Sequence, residues 1–303
     1  MAGELVVLVN PAARGGRTLR LLDPVVRRLK EGGRPVSVIV GTSAQDALER
    51  ACTAVAEGPE ALVAFGGDGL VHLAVQAVAG TDVPLGIIPA GTGNDLAGAF
   101  GIPRKDPLAA AAIVAGGAVR TVDAGTIGEE WFAGVVACGF DSKVNERANG
   151  MTRPAGMAKY LLATLQELRS FAPIPFRLTV DGGEPFEQEA MMVAVGNTHS
   201  YGAGMRVCPG AEPDDGLLDV LIVGPLPTGA FLRAFPRVYR GTHLGHPAIT
   251  LRRARTVTIE APDVVAYADG ERVAALPLTC AIHPGALHVI APGRSSPPGS
   301  GHA

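Results

Sequence analysis

Apolar runs and amphipathic stretches alternate along the first third of the chain. Leu5–Val9 (LVVLV) is continuously apolar, which predicts a strand buried on both faces. Thr18–Lys30 places Leu19, Leu22, Val26 and Leu29 on one helical face, and Ala44–Ala56 does the same with Ala47, Leu48, Ala51 and Val55. Val36–Val40 (VSVIV), Ala61–Phe65 (ALVAF) and Leu85–Ile88 (LGII) predict three further strands, and Val71–Val78 a third helix. Short apolar strands separated by amphipathic helices specify a parallel sheet covered on both faces. Residues 1–122 are therefore expected to form a doubly wound parallel α/β domain.

Beyond Val122 the pattern changes. Trp131–Ala137, Phe176–Val180, Ala190–Val195, Leu217–Val223, Thr256–Glu260, Val264–Ala268 and Leu287–Ile290 read as strands joined by turns. Helical spacing is clear only at Met157–Phe171 and Gly229–Tyr239. Many strands with few helices predict an antiparallel sandwich or barrel over residues 123–290. The fold class is thus α/β plus β, and the cleft between the two units is the default ligand site. Residues 291–303 (APGRSSPPGSGHA) read as a flexible tail.

Composition narrows the class. At 47% hydrophobic and 18% charged residues the chain has ample material for packed cores, which excludes a mostly disordered protein. Its longest nearly unbroken apolar stretch, Leu108–Val119, contains Gly116 and Gly117 and falls well short of the roughly 20 residues a bilayer span needs. No basic segment precedes Leu5–Val9, so no signal peptide is expected. The balance of 26 basic against 29 acidic residues argues against nucleic acid as a partner. Cys52, Cys138, Cys208 and Cys280 are widely spaced, as free thiols in a reducing compartment are. These features together predict a cytoplasmic protein.

The candidate chemistry lies in three loops. In an open parallel sheet, ligands bind at the carboxyl ends of the strands. After the first strand comes Asn10-Pro11-Ala12-Ala13-Arg14-Gly15-Gly16. After the third comes Gly66-Gly67-Asp68-Gly69, and after the fourth Pro89-Ala90-Gly91-Thr92-Gly93-Asn94-Asp95, each opening a helix. Glycine lets the backbone approach a polyanion, and a following helix offers free amides and a positive dipole end. The loops match neither the Walker phosphate loop nor the dinucleotide G-x-G-x-x-G pattern.

Taken with Thr42 and Asp46, CGFDSKV at Cys138, YGAGMRVCPGAEPDDGLLDV at Tyr201 and ADGE at Ala268, the chain resembles the diacylglycerol kinase catalytic-domain family. That group includes the soluble bacterial lipid kinases and is related to sphingosine kinases and NAD kinases. The resemblance implies an N-terminal nucleotide-binding domain, a C-terminal β-sandwich, and transfer of the ATP γ-phosphate to a hydroxyl of diacylglycerol or a related lipid. It implies an ATP site formed by Asn10, Pro11, Ala12, Ala13, Arg14 and Thr42, then Gly66, Gly67, Asp68, Gly69, Leu70, Val71 and His72, then Gly91, Thr92, Asn94 and Asp95. Asp68 would sit at the phosphates and hold Mg²⁺. Glu271, with Asp269 beside it, maps to the family's proton acceptor, although the choice between Asp68 and Glu271 as base stays open. A second metal would take the Asp215 side chain and backbone oxygens near Glu212 and Leu217.

The family usually carries threonine, asparagine and glutamate where this chain has Leu70, His72 and Leu73. A threonine hydroxyl on a phosphate is worth about 1.5–3 kcal/mol, so its loss implies a rate lower by about 10- to 150-fold. Two rival readings follow: a kinase for a soluble acceptor such as NAD, or a nucleotide- or lipid-binding relative without turnover. The plain expectation for His72 is a solvated side chain. Met157–Phe171 and Gly229–Gly241 combine apolar faces with cations, including Arg233, Arg237 and Arg240 near Phe231, Phe235 and Tyr239. Such helices suit transient contact with an anionic membrane at the inner face, the rival being core helices with a solvated edge. Pro236 is expected to kink or end the second helix. Whether the chain forms a homodimer is left open.

Overall fold

Strands that are apolar at every position must be covered on both sides, and the arrangement of the helices follows from that requirement. The computed structural model describes residues 3–10, 17–151, 153, 157–169 and 171–293. Its first elements are β1 (Leu5–Val9), α1 (Arg17–Lys30), β2 (Val36–Val40), α2 (Ala44–Ala56), β3 (Ala61–Gly66), α3 (Asp68–Val78), β4 (Leu85–Pro89), α4 (Asp95–Ala99) and α5 (Pro107–Gly116). There follow β5 (Val119–Ile127), β6 (Glu130–Phe132), β7 (Val135–Gly139), α6 (Phe140–Gly150), α7 (Met157–Leu168), β8 (Ile174–Val180), β9 (Phe186–Ala190) and β10 (Met192–Gly196). The last are β11 (Leu218–Val223), α8 (Thr228–Val238), β12 (Ile249–Ala254), β13 (Thr256–Glu260), β14 (Val265–Ala268), β15 (Glu271–Ala275) and β16 (Leu278–Ile290).

β2, β1, β3 and β4 run parallel in that order, and β1, β3 and β4 are buried throughout. On one face Val25 and Leu29 of α1 and Ala111 and Val114 of α5 pack against Val7, Val63 and Phe65. On the other, Ala47 and Ala51 of α2 and Val71 and Val75 of α3 cover Leu8, Leu62 and Ile87. The doubly wound expectation holds.

β16 pairs parallel with β4 through Val289 and Ile290, and antiparallel with β5 and β13. It thereby joins both units in one 10-stranded sheet of order β2-β1-β3-β4-β16-β13-β8-β9, with β5 and β6 off the path. A second, 6-stranded antiparallel sheet runs β12-β11-β10-β7-β14-β15. Phe132, Cys138, Phe176, Val193, Val220 and Val257 fill the space between the sheets. Alternate residues of the second sheet, among them Val135, Ala194 and Leu221, face outward under Phe140, Val144, Ala163 and Phe231 of α6, α7 and α8.

Several boundaries differ from the sequence expectation, each for a local reason. Trp131–Ala137 is two strands, because the Ala133 and Gly134 amides turn away to the Asp269 carboxylate. Ala190–Val195 breaks at Met191, whose N–H donates to Val223 and whose carbonyl accepts from Phe140. α6 has no counterpart in the apolar spacing. It starts at Gly139, where φ is +105° and a β-carbon would lie 2.6 Å from the Met191 carbonyl, and where the amide donates to the Ser142 hydroxyl. α7 stops at Leu168, and α8 continues through Pro236 to Val238 with no fully buried residue, Phe231 and Val238 packing partly buried against the core. All four cysteines are free, with Cys52 exposed and the other three buried. Among the described residues no helix is long and apolar enough to cross a membrane. Residues 294–303 of the expected tail lie outside the described residues.

Candidate active site

β3 and β4 end side by side, Gly66 opposite Pro89, and their loops interlock at a pair of glycines. A β-carbon on Gly91 would lie 2.5 Å from the Gly67 α-carbon, so no larger residue fits there. α3 begins directly afterwards with no side-chain cap, and its positive end faces a cavity of about 570 Å³ lined by Gly67, Asp68 and Gly69.

Asp68 ties the two loops together. One carboxylate oxygen accepts the Asn94 amide and the other the Asp95 amide, both at 2.7 Å, so Asp68 caps α4. Asn94 adopts the left-handed conformation with φ 54°. It accepts the Gly91 amide at 2.8 Å and donates to the Gly91 and Arg104 carbonyls at 3.0 and 2.8 Å. Asp95 accepts from the Ala203 amide at 2.8 Å and from Arg104 at 3.1 Å. Burial, aided by the nearby charge of Asp68, raises its pKa against the opposing pull of those donors.

The Asp269-Gly270-Glu271 sequence forms the β14–β15 hairpin turn, with φ +52° and +91° at the first two residues. Asp269 is 3% exposed and accepts the amides of Ala133, Gly134 and Val135 at 3.0, 2.9 and 3.1 Å. Glu271 is exposed on the cavity side, where its Oε1 lies against Gly69; a β-carbon on that glycine would be 2.5 Å away. One carboxylate of the turn is thus an anchor, and the other projects toward the start of α3.

The cavity gathers Gly67, Asp68, Gly69, Gly91, Thr92, Asp95, Asp269 and Glu271. Gly66, Leu70, Val71 and Asn94 lie behind it, and Leu70 and Val71 are core residues. Leu70, 6% exposed, folds back over Gly66, and Leu73 packs on the same core. Two of the three departures from the family pattern, Leu70 and Leu73, therefore fall on the core side of α3. Thr42 follows β2 and donates its amide and hydroxyl to Asp46 at 2.8 and 2.9 Å. The Arg50 guanidinium and Thr42 hold Asp46 down at about 2. Asn10 follows β1 on the same rim of the sheet, and Pro11, Ala12, Ala13 and Arg14 lie outside the described residues.

His72 is not solvated. It is 2% exposed, with Nε2 2.9 Å from Glu130 and Nδ1 3.5 Å from Asp269. Sequence spacing could not show this, because both partners are remote in the chain.

For a metal at the phosphates, Asp68 offers one carboxylate beside the helix end with Asp95 adjacent. That suits Mg²⁺, which is usually held by one or two carboxylates plus phosphate oxygens. The expected second site at Glu212, Asp215 and Leu217 lies in the turn that leads into β11. Asp215 is paired with Arg253 and accepts the Leu217 amide at 3.0 Å, and Arg253 also bonds Asp219 at 3.2 Å. The chain's own guanidinium meets the charge of this turn. Among the described residues no three His, Cys, Asp or Glu side chains are arranged to hold a metal ion.

Asp141, in the first turn of α6, also lines the cavity, and burial pushes its carboxyl up to about 7. The folded state therefore holds this proton more tightly than the unfolded chain. Stability is expected to fall as pH rises from about 4 through about 7 and then to level off, by about 1–3 kcal/mol after allowance for solvent at the cavity wall. Unfolding midpoints of the wild type and Asp141→Asn from pH 4 to 8 check this. The variant should lack the decline, and parallel curves would refute it.

The comparisons agree with this geometry. Residues 4–127 match the diacylglycerol kinase catalytic domain, and residues 134–291 match the YegS C-terminal NAD kinase beta sandwich-like domain. The chain is 43% identical to a diacylglycerol kinase of Mycobacterium tuberculosis (strain H37Rv) over 96% of each protein. It is 28% identical to one of Bacillus subtilis (strain 168), covering 89% of this chain and 90% of the relative. Among solved structures, a diacylglycerol kinase of Bacillus anthracis superposes with a TM-score of 0.77 at 25% identity, covering 96% of this chain and 97% of the other. An NAD kinase of Archaeoglobus fulgidus in complex with ATP shares the fold alone, with TM-score 0.53 and 12% identity over 95% and 93% of the two chains. With the glycine loops, the sandwich and these matches in agreement from end to end, the chain belongs to the diacylglycerol kinase catalytic-domain family and is a kinase of that family.

Proposed function

We propose that this protein transfers the γ-phosphate of ATP to a hydroxyl of a diacylglycerol-like lipid. The observation that carries the reading is the cavity itself. Its one side is glycine backbone at a helix N-terminus with Asp68, and its other is the apolar wall of Val144, Leu161, Met205, Phe235 and Tyr239. Glu271 stands where the two meet. A polyphosphate suits the first side and an acyl-bearing alcohol the second.

Phosphoryl transfer depends on positioning and charge neutralisation more than on covalent chemistry. The amides at the start of α3 bind phosphate oxygens, and the Gly67–Gly91 contact lets the backbone come close to them. Asp68 would hold Mg²⁺, which when bound would supply further neutralisation of phosphate charge. Glu271 takes the proton of the acceptor hydroxyl as its oxygen bonds to the γ-phosphorus, and the bond to the β–γ bridging oxygen breaks to leave ADP.

The lipid source fits the cavity's rim. Leu161, Leu162 and Leu165 of α7 and Leu232 and Tyr239 at α8 are exposed, with Lys159, Arg233 and Arg237 on the same two helices. This composition suits transient contact with an anionic membrane surface from the cytoplasmic side. No observation favours a soluble acceptor or a relative without turnover.

Label transfer from γ-labelled ATP into a panel of lipids in mixed micelles with Mg²⁺ tests the reading, run beside Asp68→Asn. A labelled lipid that is absent with the variant is expected. Label in NAD or another soluble alcohol, with none in lipid, would replace the acceptor class.

A further inference from the structure

The β14–β15 turn touches α3 at two points. Gly69 and His72 are three residues apart on α3 and so share a face. Asp269 and Glu271 flank Gly270 in the turn. Glu271 lies against Gly69, and Asp269 lies against His72. From its other edge the His72 ring reaches Glu130 of β6 at 2.9 Å. Asp269 meanwhile collects the amides of Ala133 and Gly134, which separate β6 from β7, and of Val135 at the start of β7. One buried ring therefore links α3 both to the β14–β15 turn, which carries Glu271, and to β6.

We propose that His72 is a positioning residue that holds Glu271 over the start of α3 by tying the β14–β15 turn and β6 to that helix. The proposal rests on the reading of Glu271 as proton acceptor. Asp269 and Glu130 are the charged groups that face the ring among the described residues. Burial opposes the charged ring, but hydrogen bonds and charge from both carboxylates prevail and raise it to about 9. As imidazolium it donates one N–H to each carboxylate, whereas the neutral ring has a single N–H for the two. The Gln76 amide nitrogen also lies 3.3 Å from His72 Nε2, but it donates at 2.7 Å to the Trp131 carbonyl, and its oxygen accepts the Trp131 N–H at 2.9 Å.

The test combines rate, pH and amide exchange. In His72→Leu, single-turnover transfer at saturating ATP should fall by about 10- to 100-fold, while ATP affinity stays within about threefold. The amides of Ala133, Gly134 and Val135 should exchange with deuterium faster than in the wild type. His72→Asn keeps a donor and should recover part of the rate. Glu130→Gln, at a side chain 34% exposed, removes one arm with little burden on folding and should show a smaller loss of the same kind. The wild-type rate should decline as pH rises through about 9, a limb that His72→Asn lacks. A folded His72→Leu protein with wild-type rate and exchange would overturn the proposal. Should the wild type label no acceptor at all, the functional reading fails separately, and unchanged exchange at residues 133–135 would still overturn the positioning role.

Discussion

Replacing Glu271 with glutamine is expected to slow phosphoryl transfer by about 10²- to 10⁴-fold, the range that a positioned general base contributes. The side chain is exposed at the first residue of β15, so the change removes no packing. Its neighbour at Gly69 is backbone, and a carboxamide has the same size as the carboxylate it replaces. On the proposed reading ATP takes the glycine side of the cavity, so its affinity should be nearly unchanged and the whole loss should appear at saturating nucleotide. Single-turnover transfer with the variant, beside its unfolding midpoint, is the measurement. Near-normal transfer by a folded variant would move the base to Asp68, whose carboxylate lines the same cavity.

What the sequence makes legible here is local. β1, β3 and β4 are buried on both faces, so their apolar runs carry no ambiguity of face, and the glycine loops signal themselves because each directly opens a helix. The rest depends on partners far along the chain. The gap between β6 and β7 exists because Asp269, well over a hundred positions away, accepts their linking amides. His72 appears as a lone histidine until Glu130 and Asp269 are brought to it. The Leu287–Ile290 run is only the end of β16. That strand shifts register against β5 between His283 and Leu287 before joining β4, and no period-two pattern survives such a shift. That Leu70 and Leu73 pack on the core side of α3 is likewise not legible in helical spacing alone.

Asp68→Asn is expected to lower transfer by about 10²- to 10³-fold, the usual cost of removing one electrostatic group from a phosphoryl-transfer site. The structure adds a second consequence. Both Asp68 oxygens accept amides, from Asn94 and Asp95, and a carboxamide keeps only one acceptor. The other position becomes a donor facing a donor, and stability should fall by about 1–3 kcal/mol. Gly93 leaves no room for relief, since even a β-carbon there would lie 2.6 Å from Asp68. The two effects separate by measurement. Loosening of the Gly91–Asp95 loop weakens ATP binding and is overcome at saturating nucleotide, whereas loss of charge at the transferring phosphate is not. The expected result is therefore a single-turnover rate that stays low when ATP saturates, together with a lower unfolding free energy in urea. A variant that is destabilised by this amount yet transfers phosphate at the wild-type saturating rate would confine Asp68 to capping α4.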